Sequence, residues 1–386
     1  AKQELTWRQP RFAISVLTEN GGRTQTLEQS FISKKTDPTR LSYIPELDGL
    51  RAIACLLVIF FHAAPSGPFP GGFPRAATPF VLSGYLITDL LIEEHEAHGQ
   101  VAVGRFYVQR ALRLVPALLL FLAAYIVIAP FIWPEQPHLR DAGLAALYLS
   151  DYTYPLFGSP HYIRHSWSLA VEEQFYLLWP LLIPLLAKPK PAIIMLAAAW
   201  VAITLARYSV ADSGWISYYF PLHTHSSGLI AGAGLALARR SGLPAIGARL
   251  GTVALLLFAV MALTADIVSS AMAITAAELL SVVLVGCIVS GAQPAVARLL
   301  VARPMVGIGK LSYGLYLWHF PFAYYFRQKF DFPVSASATF GLALAGALLS
   351  YYTVEKWGRT MKSRHKARKT IMSDDRAAPA ISPEAS

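Results

Sequence analysis

The chain has 386 residues, 55% hydrophobic and only 15% charged, against ~25% charged in an ordinary soluble domain. So little charge cannot cover the surface of a soluble protein of this length. The net charge of +10, from 33 Lys+Arg against 23 Asp+Glu, would point a soluble chain toward nucleic acid; here the basic residues sit in short loops between apolar blocks, so membrane topology accounts for them and no nucleic-acid partner is expected.

Residues 1–42 are polar and mixed in charge. Their apolar run, Phe12 to Leu17, is too short to cross a bilayer or to form the core of a secretion signal, so a mostly disordered tail is expected. Continuous apolar blocks then follow at 49–65, 76–92, 114–132, 167–187, 191–206, 217–238, 250–267, 273–292, 311–328 and 334–354. Their lengths approach the ~20 residues that a helix needs to cross a ~30 Å hydrocarbon core. Lipid offers no partner to open backbone, and the blocks do not alternate as barrel strands do. The predicted fold class is all-α: a polytopic membrane helix bundle of about ten transmembrane helices over residues 43–358. A weaker block, 142–157, holds Asp151 and several tyrosines. Residues 359–386, basic and then rich in Ala, Pro and Ser, form a second tail. Cys55 and Cys287 fall inside apolar blocks and read as small core residues. The sequence carries no internal repeat.

Orientation follows from the basic loops. With Arg40 and Arg51 inside, the chain returns to the same side at Arg105, Arg110 and Arg113, at Lys188 and Lys190, at Arg239 and Arg240, at Arg298, Arg303 and Lys310, and at the basic tail. This holds only if 142–157 does not cross. The expectation is therefore a multi-pass membrane protein with both termini cytoplasmic and with 133–166 outside, carrying a short interfacial or re-entrant helix. Trp133, Trp167 and Trp215 then lie at the outer interface.

Ionisable residues inside spans are costly, and four groups stand out. Asp48-Gly-Leu-Arg51 opens the first span, with His62 eleven residues past Arg51, ~16 Å along a helix. Arg51 reads either as a snorkelling topology marker or as a site residue. His62 reads either as an interhelical hydrogen-bond partner or as a proton acceptor. Arg110 and Arg113, in the loop after the second span, share one helical face and suit a phosphate; lipid headgroup contact is the plainer alternative. Glu172 and Glu173 form a carboxylate pair early in the span that starts at Trp167. Packing explains such a pair poorly, and it reads as a histidine partner or part of a pocket. His223 and His225, and His319 in its own later span, are pocket candidates or hydrogen-bonded core residues. No HExxH or paired Cys/His spacing occurs, and no metal is expected.

Leu47-Asp-Gly-Leu-Arg-Ala-Ile-Ala with Phe61-His62, Phe80-Val-Leu-Ser-Gly-Tyr-Leu-Ile-Thr, Arg110-Ala-Leu-Arg113, Ser166-Trp-Ser-Leu-Ala-Val-Glu-Glu-Gln-Phe-Tyr and Ser312-Tyr-Gly-Leu-Tyr-Leu-Trp-His run in order from about 45 to 357. Together they resemble the acyltransferase-3 family of bacterial integral-membrane O-acyltransferases, including its arginine, ten residues, then histidine. One departure is clear: the aspartate that usually precedes the second-span motif falls on Ala77, and Arg75 introduces a charge nearby. The resemblance implies transfer of an acyl group, often acetyl, from cytoplasmic acyl-CoA. The acceptor would be a hydroxyl of a cell-envelope glycan, a lipid-linked sugar or another carbohydrate-containing molecule. Some members carry a fused extracytoplasmic esterase-like domain; none is expected here, and the chain is expected to act alone or with a separate partner. No bound cofactor is implied.

On this footing Arg110 and Arg113 are expected to hold the CoA phosphates and Arg51 to guide the thioester arm. His62 is expected to act as general base, with Glu172 orienting it, or to carry the acyl group covalently. Glu173, His223 and His319 are expected near the pocket. The rival class is a proton-coupled transporter or flippase, since intramembrane His and Glu also build proton relays. The lack of repeated halves argues against it.

Overall fold

The computed structural model describes residues 43–64, 77–263, 271–292 and 297–361. The N-terminal tail, Arg75 and the chain beyond Met361 lie outside the described residues. Every regular element described is helical. In order they are α1 (Pro45–Ala63), α2 (Ala77–His98), α3 (Val103–Ile132), α4 (His138–Ala146), α5 (Ser150–Phe157), α6 (Ser166–Leu182), α7 (Pro189–Ser209), α8 (Trp215–Tyr219), α9 (Leu222–His225), α10 (Ser227–Arg240), α11 (Ala248–Leu263), α12 (Ala271–Val289), α13 (Ala297–Leu300), α14 (Arg303–Phe326) and α15 (Val334–Ser350). A 3-10 turn, Ile183–Leu186, extends α6, and a π-helical turn, Tyr351–Glu355, continues α15 toward Met361.

Nine of the ten predicted blocks coincide with a helix. Among the described residues, five segments are long and apolar enough to cross a membrane: Val103–Ile132, Ser166–Leu186, Pro189–Ser209, Ala271–Val289 and Val334–Met361. The count of ten crossings is not reached on length and composition, for visible reasons. Helix α1 carries Glu46, Asp48 and Arg51, the second half of α2 carries Asp89, Glu93, Glu94 and Glu96, and α10 has only 14 residues.

Two expectations need correction. Block 217–238 is not one helix but α8, α9 and α10. Pro221 is held extended (φ −66°, ψ 143°) and lacks the N–H that a continuous helix would need there. Arg110 and Arg113 are not in a loop, because α3 starts eleven residues before its apolar block and carries both on its first half. Block 142–157, expected outside, holds two short helices, α4 and α5, with Tyr148 between them at φ 54°.

Polarity is reversed relative to a soluble protein. Val127, Ile128 and Phe131 of α3, Leu177, Leu178 and Leu181 of α6, and Leu256 and Val260 of α11 are exposed, whereas Arg207, Glu278 and Asp89 are buried. The buried charges are paired. Arg207 of α7 reaches Glu278 of α12 at 2.9 Å, and Arg240 of α10 reaches Asp89 of α2 at 2.7 Å. One apolar core centres on Phe80, Trp167, Phe175, Trp179 and Leu229 of α2, α6 and α10. A second, around Ile59, Phe121, Leu317 and Trp318, joins α1, α3, α14 and α15. Small residues set the closest crossings. A Cβ on Gly309 of α14 would overlap the Asp48 carbonyl oxygen of α1, and one on Gly232 of α10 would overlap the Val81 carbonyl oxygen of α2.

Candidate active site

The α1–α14 crossing brings together two histidines 257 residues apart in the chain. His62 Nδ1 lies 3.0 Å from His319 Nε2, and His319 Nδ1 lies 2.7 Å from the Tyr316 carbonyl oxygen. A carbonyl only accepts, so His319 carries its proton on Nδ1 and offers the lone pair of Nε2. His62 must then donate from Nδ1, which leaves its Nε2 unprotonated. His62 is half-buried, and no described residue bonds its Nε2. His319 is fully buried. Phe320 packs edge-on to His62 at 4.9 Å. Behind it, His165, at the start of α6, stacks on Phe320 at 5.1 Å, meets His319 edge-on at 5.3 Å and donates from Nε2 to the Leu317 carbonyl at 3.0 Å. Sequence reading passed over His165, although it stands directly before the Ser166–Tyr176 motif.

The carboxylates lie elsewhere. Glu172 Oε2 accepts from Ser83 Oγ at 3.1 Å and from the Tyr176 hydroxyl at 3.0 Å, and Tyr176 also donates to Ser83 at 2.6 Å. Glu172 thus joins α6 to α2 and does not reach His62; the place expected for it beside that ring is occupied by His319. Glu173 accepts a bidentate pair from Arg110, Nε at 3.0 Å and Nη2 at 2.8 Å, while the guanidinium carbon stands 3.2 Å above the Tyr176 ring. The fork of Arg110 is therefore committed inside the protein. Arg51 is bound to Asp48 at 2.7 Å, and Asp48 also accepts from the Tyr43 hydroxyl at 2.8 Å. Arg113 differs: it is exposed, it faces Arg51, Arg110 and Glu355 electrostatically, and it has no hydrogen-bond or ion-pair partner among the described residues.

His223 is exposed and lies on Tyr152, rings 5.8 Å apart, with its Nδ1 3.1 Å from the Tyr152 hydroxyl. Its contacts are with α5, not with the His62–His319 pair. His225 is buried among Phe80, Trp167 and Tyr219. Ala77 is buried at the start of α2 and supplies no carboxylate. In this chain the orienting partner of His62 is an imidazole.

A half-buried imidazole whose second nitrogen is held unprotonated between arginines on α1 and α3 and a cluster of aromatic rings is an arrangement that suits proton transfer in a group-transfer reaction. The family model of the acyltransferase domain, Acyl_transf_3, matches residues 44–355, so the chain belongs to the acyltransferase-3 family. The peptidoglycan O-acetyltransferase OatA of Listeria monocytogenes is 31% identical over 323 residues, 75% of this chain and 50% of that protein. The O-acetyltransferase OatA of Staphylococcus aureus is 32% identical over 307 residues, 72% of this chain and 50% of that protein. The chain spans about half the length of the curated relatives it matches. No solved structure matches it.

Proposed function

We propose that the chain is an O-acyltransferase of the bacterial plasma membrane that moves an acyl group, acetyl above all, from acyl-CoA to a hydroxyl of a cell-envelope glycan. The observation that carries this reading is the chain from the Tyr316 carbonyl through His319 to His62, which leaves Nε2 of His62 able to take a proton. The names of the relatives, O-acetyltransferases and in one case a peptidoglycan O-acetyltransferase, favour a wall glycan as acceptor.

The acceptor hydroxyl gives its proton to Nε2 of His62 while its oxygen attacks the thioester carbonyl carbon. The C–O bond forms, the C–S bond breaks, and the proton passes from Nε2 to the departing sulfur. An ester and free CoA thiol leave, and His62 returns to its starting form. Through the charged interval the imidazolium keeps its Nδ1–H bond to His319. Arg113, with open donors, is the residue assigned to the donor phosphates, flanked by Arg51. Helix α1 is continuous from Arg51 to His62, a rise of ~16 Å that the thioester arm covers. Glu172, Ser83 and Tyr176 form part of the pocket wall. The reading takes ten crossings, both termini cytoplasmic and 133–166 outside, so that the donor enters at Arg113 and the acceptor from the opposite face.

The test is label transfer and thiol release in membranes supplied with radiolabelled acetyl-CoA and envelope glycan. The wild type is expected to label the glycan, and His62→Ala to lose transfer by ~100-fold or more, the range for removal of a general base. Retention of more than a few percent of activity in the variant, or no transfer by the wild type to any envelope extract, overturns the reading.

A further inference from the structure

Two guanidiniums stand near His62 with no ion-paired acid among the described residues. Arg164, in the turn before α6, and Arg327, which ends α14, are both half-buried, and neither has an ion-pair partner among the described residues. Their neighbours are aromatic. The Arg164 guanidinium lies 5.1 Å over Phe320 and donates to the Tyr154 hydroxyl at 3.2 Å. Arg327 lies 4.6 Å over Tyr324 and donates to the His62 carbonyl at 3.4 Å. The two act on each other as like charges, and both act on His62. Asp141, the acid that acts on His161, has its oxygens taken by the Ser159 hydroxyl and by the His161 N–H at 3.1 Å. The connection 65–76, which starts three residues past His62, contains Arg75 and no acidic residue.

Beside the arginines stands an aromatic wall. Trp133 and Tyr162 stack at 4.0 Å with planes 11° apart, Tyr324 meets Tyr162 edge-on at 4.9 Å, and His161 Nε2 lies 3.2 Å from the Tyr324 hydroxyl. Burial and the Arg164 charge hold the His161 imidazole below its ordinary pKa, and an imidazole has no negative charge to set against the two arginines. Two half-buried like charges that repel each other cost stability unless something anionic joins them. A guanidinium pair offers forked donors to a carboxylate or phosphate, and flat aromatic faces offer the apolar side of a sugar ring a surface to lie on.

We propose that Arg164 and Arg327 form an oxyanion subsite at the outer mouth of the His62 pocket, into which the acceptor sugar places a carboxylate or phosphate while its ring lies along Trp133, Tyr162 and Tyr324. The inference rests on the acyltransferase reading and names its substrate class: an anionic carbohydrate, held by charge next to the nitrogen that deprotonates its hydroxyl. Both arginines are positioning residues for the acceptor.

The test reads binding rather than turnover. Saturation-transfer NMR on the purified full chain in detergent compares glucuronate, glucose 6-phosphate and glucose, which share one ring and differ in charge. Glucuronate or glucose 6-phosphate is expected to bind at least about tenfold tighter than glucose, and the tighter of the two assigns the anion as carboxylate or phosphate. Arg164→Gln/Arg327→Gln is expected to erase that preference, and Arg164→Lys/Arg327→Lys to keep part of it. Equal binding of all three sugars by the wild type overturns the subsite regardless of how the variants fold, as does an unchanged preference in the double Gln variant. His62→Ala is expected to bind as wild type does. If binding holds but His62→Ala still transfers acyl groups, the acyltransferase mechanism falls and the subsite stands. If His62→Ala is inactive but no anion preference exists, the subsite alone falls.

Discussion

A guanidinium can hold a phosphate only with the donors its own protein leaves open. Arg110 spends its fork on Glu173, and Arg51 leans on Asp48, whereas Arg113 has no hydrogen-bond or ion-pair partner among the described residues. Substitution should separate these roles. Arg113→Ala is expected to raise the donor KM by about 10- to 100-fold, the loss of one or two charge-assisted hydrogen bonds, with little change in melting temperature. Arg110→Ala is expected to act through stability instead, because the pair is largely covered (16% and 20% exposed) and Glu173 is left behind with a cost of ~1–3 kcal/mol. Steady-state kinetics over a donor series, together with thermal unfolding in detergent, reads both; a shift in donor KM for Arg110→Ala alone would reverse the assignment. Spacing made Arg51, His62, Arg110 and Arg113 visible in the sequence. It could not say which arginine was already paired, because Glu173 lies 63 residues from Arg110. The partner of His62 was illegible for the same reason: nothing local ties it to His319, and Glu172, an acid at a fitting depth, was the natural choice.

At the scale of elements, the site depends on how closely α1 and α14 cross. Gly309 is where the Asp48 backbone passes, whereas Gly307, two residues earlier, has nothing near the position of a Cβ. Gly309→Ala is therefore expected to force the helices apart, at ~1–3 kcal/mol, and to lower turnover by separating His62 from His319. Gly307→Ala is expected to be neutral or slightly stabilising, since alanine is the better helix former. Equal effects of the two on unfolding temperature and turnover would contradict the packing account. Continuous apolar runs made most helices legible. The run 217–238 misled because hydropathy is blind to chain direction: Pro221 interrupts it, and α8 and α9 remain as short turns before α10 begins at Ser227. The helical start of α3 was equally hidden, because its first eleven residues include Arg105, Arg110 and Arg113 and so read as a loop.

Across the whole molecule, the charged residues make sense only with an orientation. Exposed sites on either side allow it to be measured, and the two native cysteines, 7% and 0% exposed, give a quiet background. Phe157→Cys is expected to react with an impermeant thiol reagent on intact cells, and Ser241→Cys only after permeabilisation. The opposite pattern would invert the topology and with it the entry sides of donor and acceptor. The class of the molecule was legible from composition and from the ordered motifs between Leu47 and His319, which the family match over residues 44–355 bears out. The expected ten crossings are met by five helices on length and composition among the described residues, because charged residues on α1, α2 and α14 lower the mean hydropathy of those helices.

The account turns on His319 holding His62 with its reactive nitrogen bare, and the most direct measurement is acceptor-dependent thiol release at saturating donor for wild type, His319→Gln and His319→Leu. Leucine removes the acceptor for the His62 Nδ1–H, whereas glutamine can offer a side-chain oxygen in its place. The expected result is a loss of ~100-fold or more in kcat for His319→Leu, a smaller loss for His319→Gln, and an unchanged donor KM in both. Wild-type turnover in His319→Leu, or equal losses in the two variants with a raised donor KM, would contradict it.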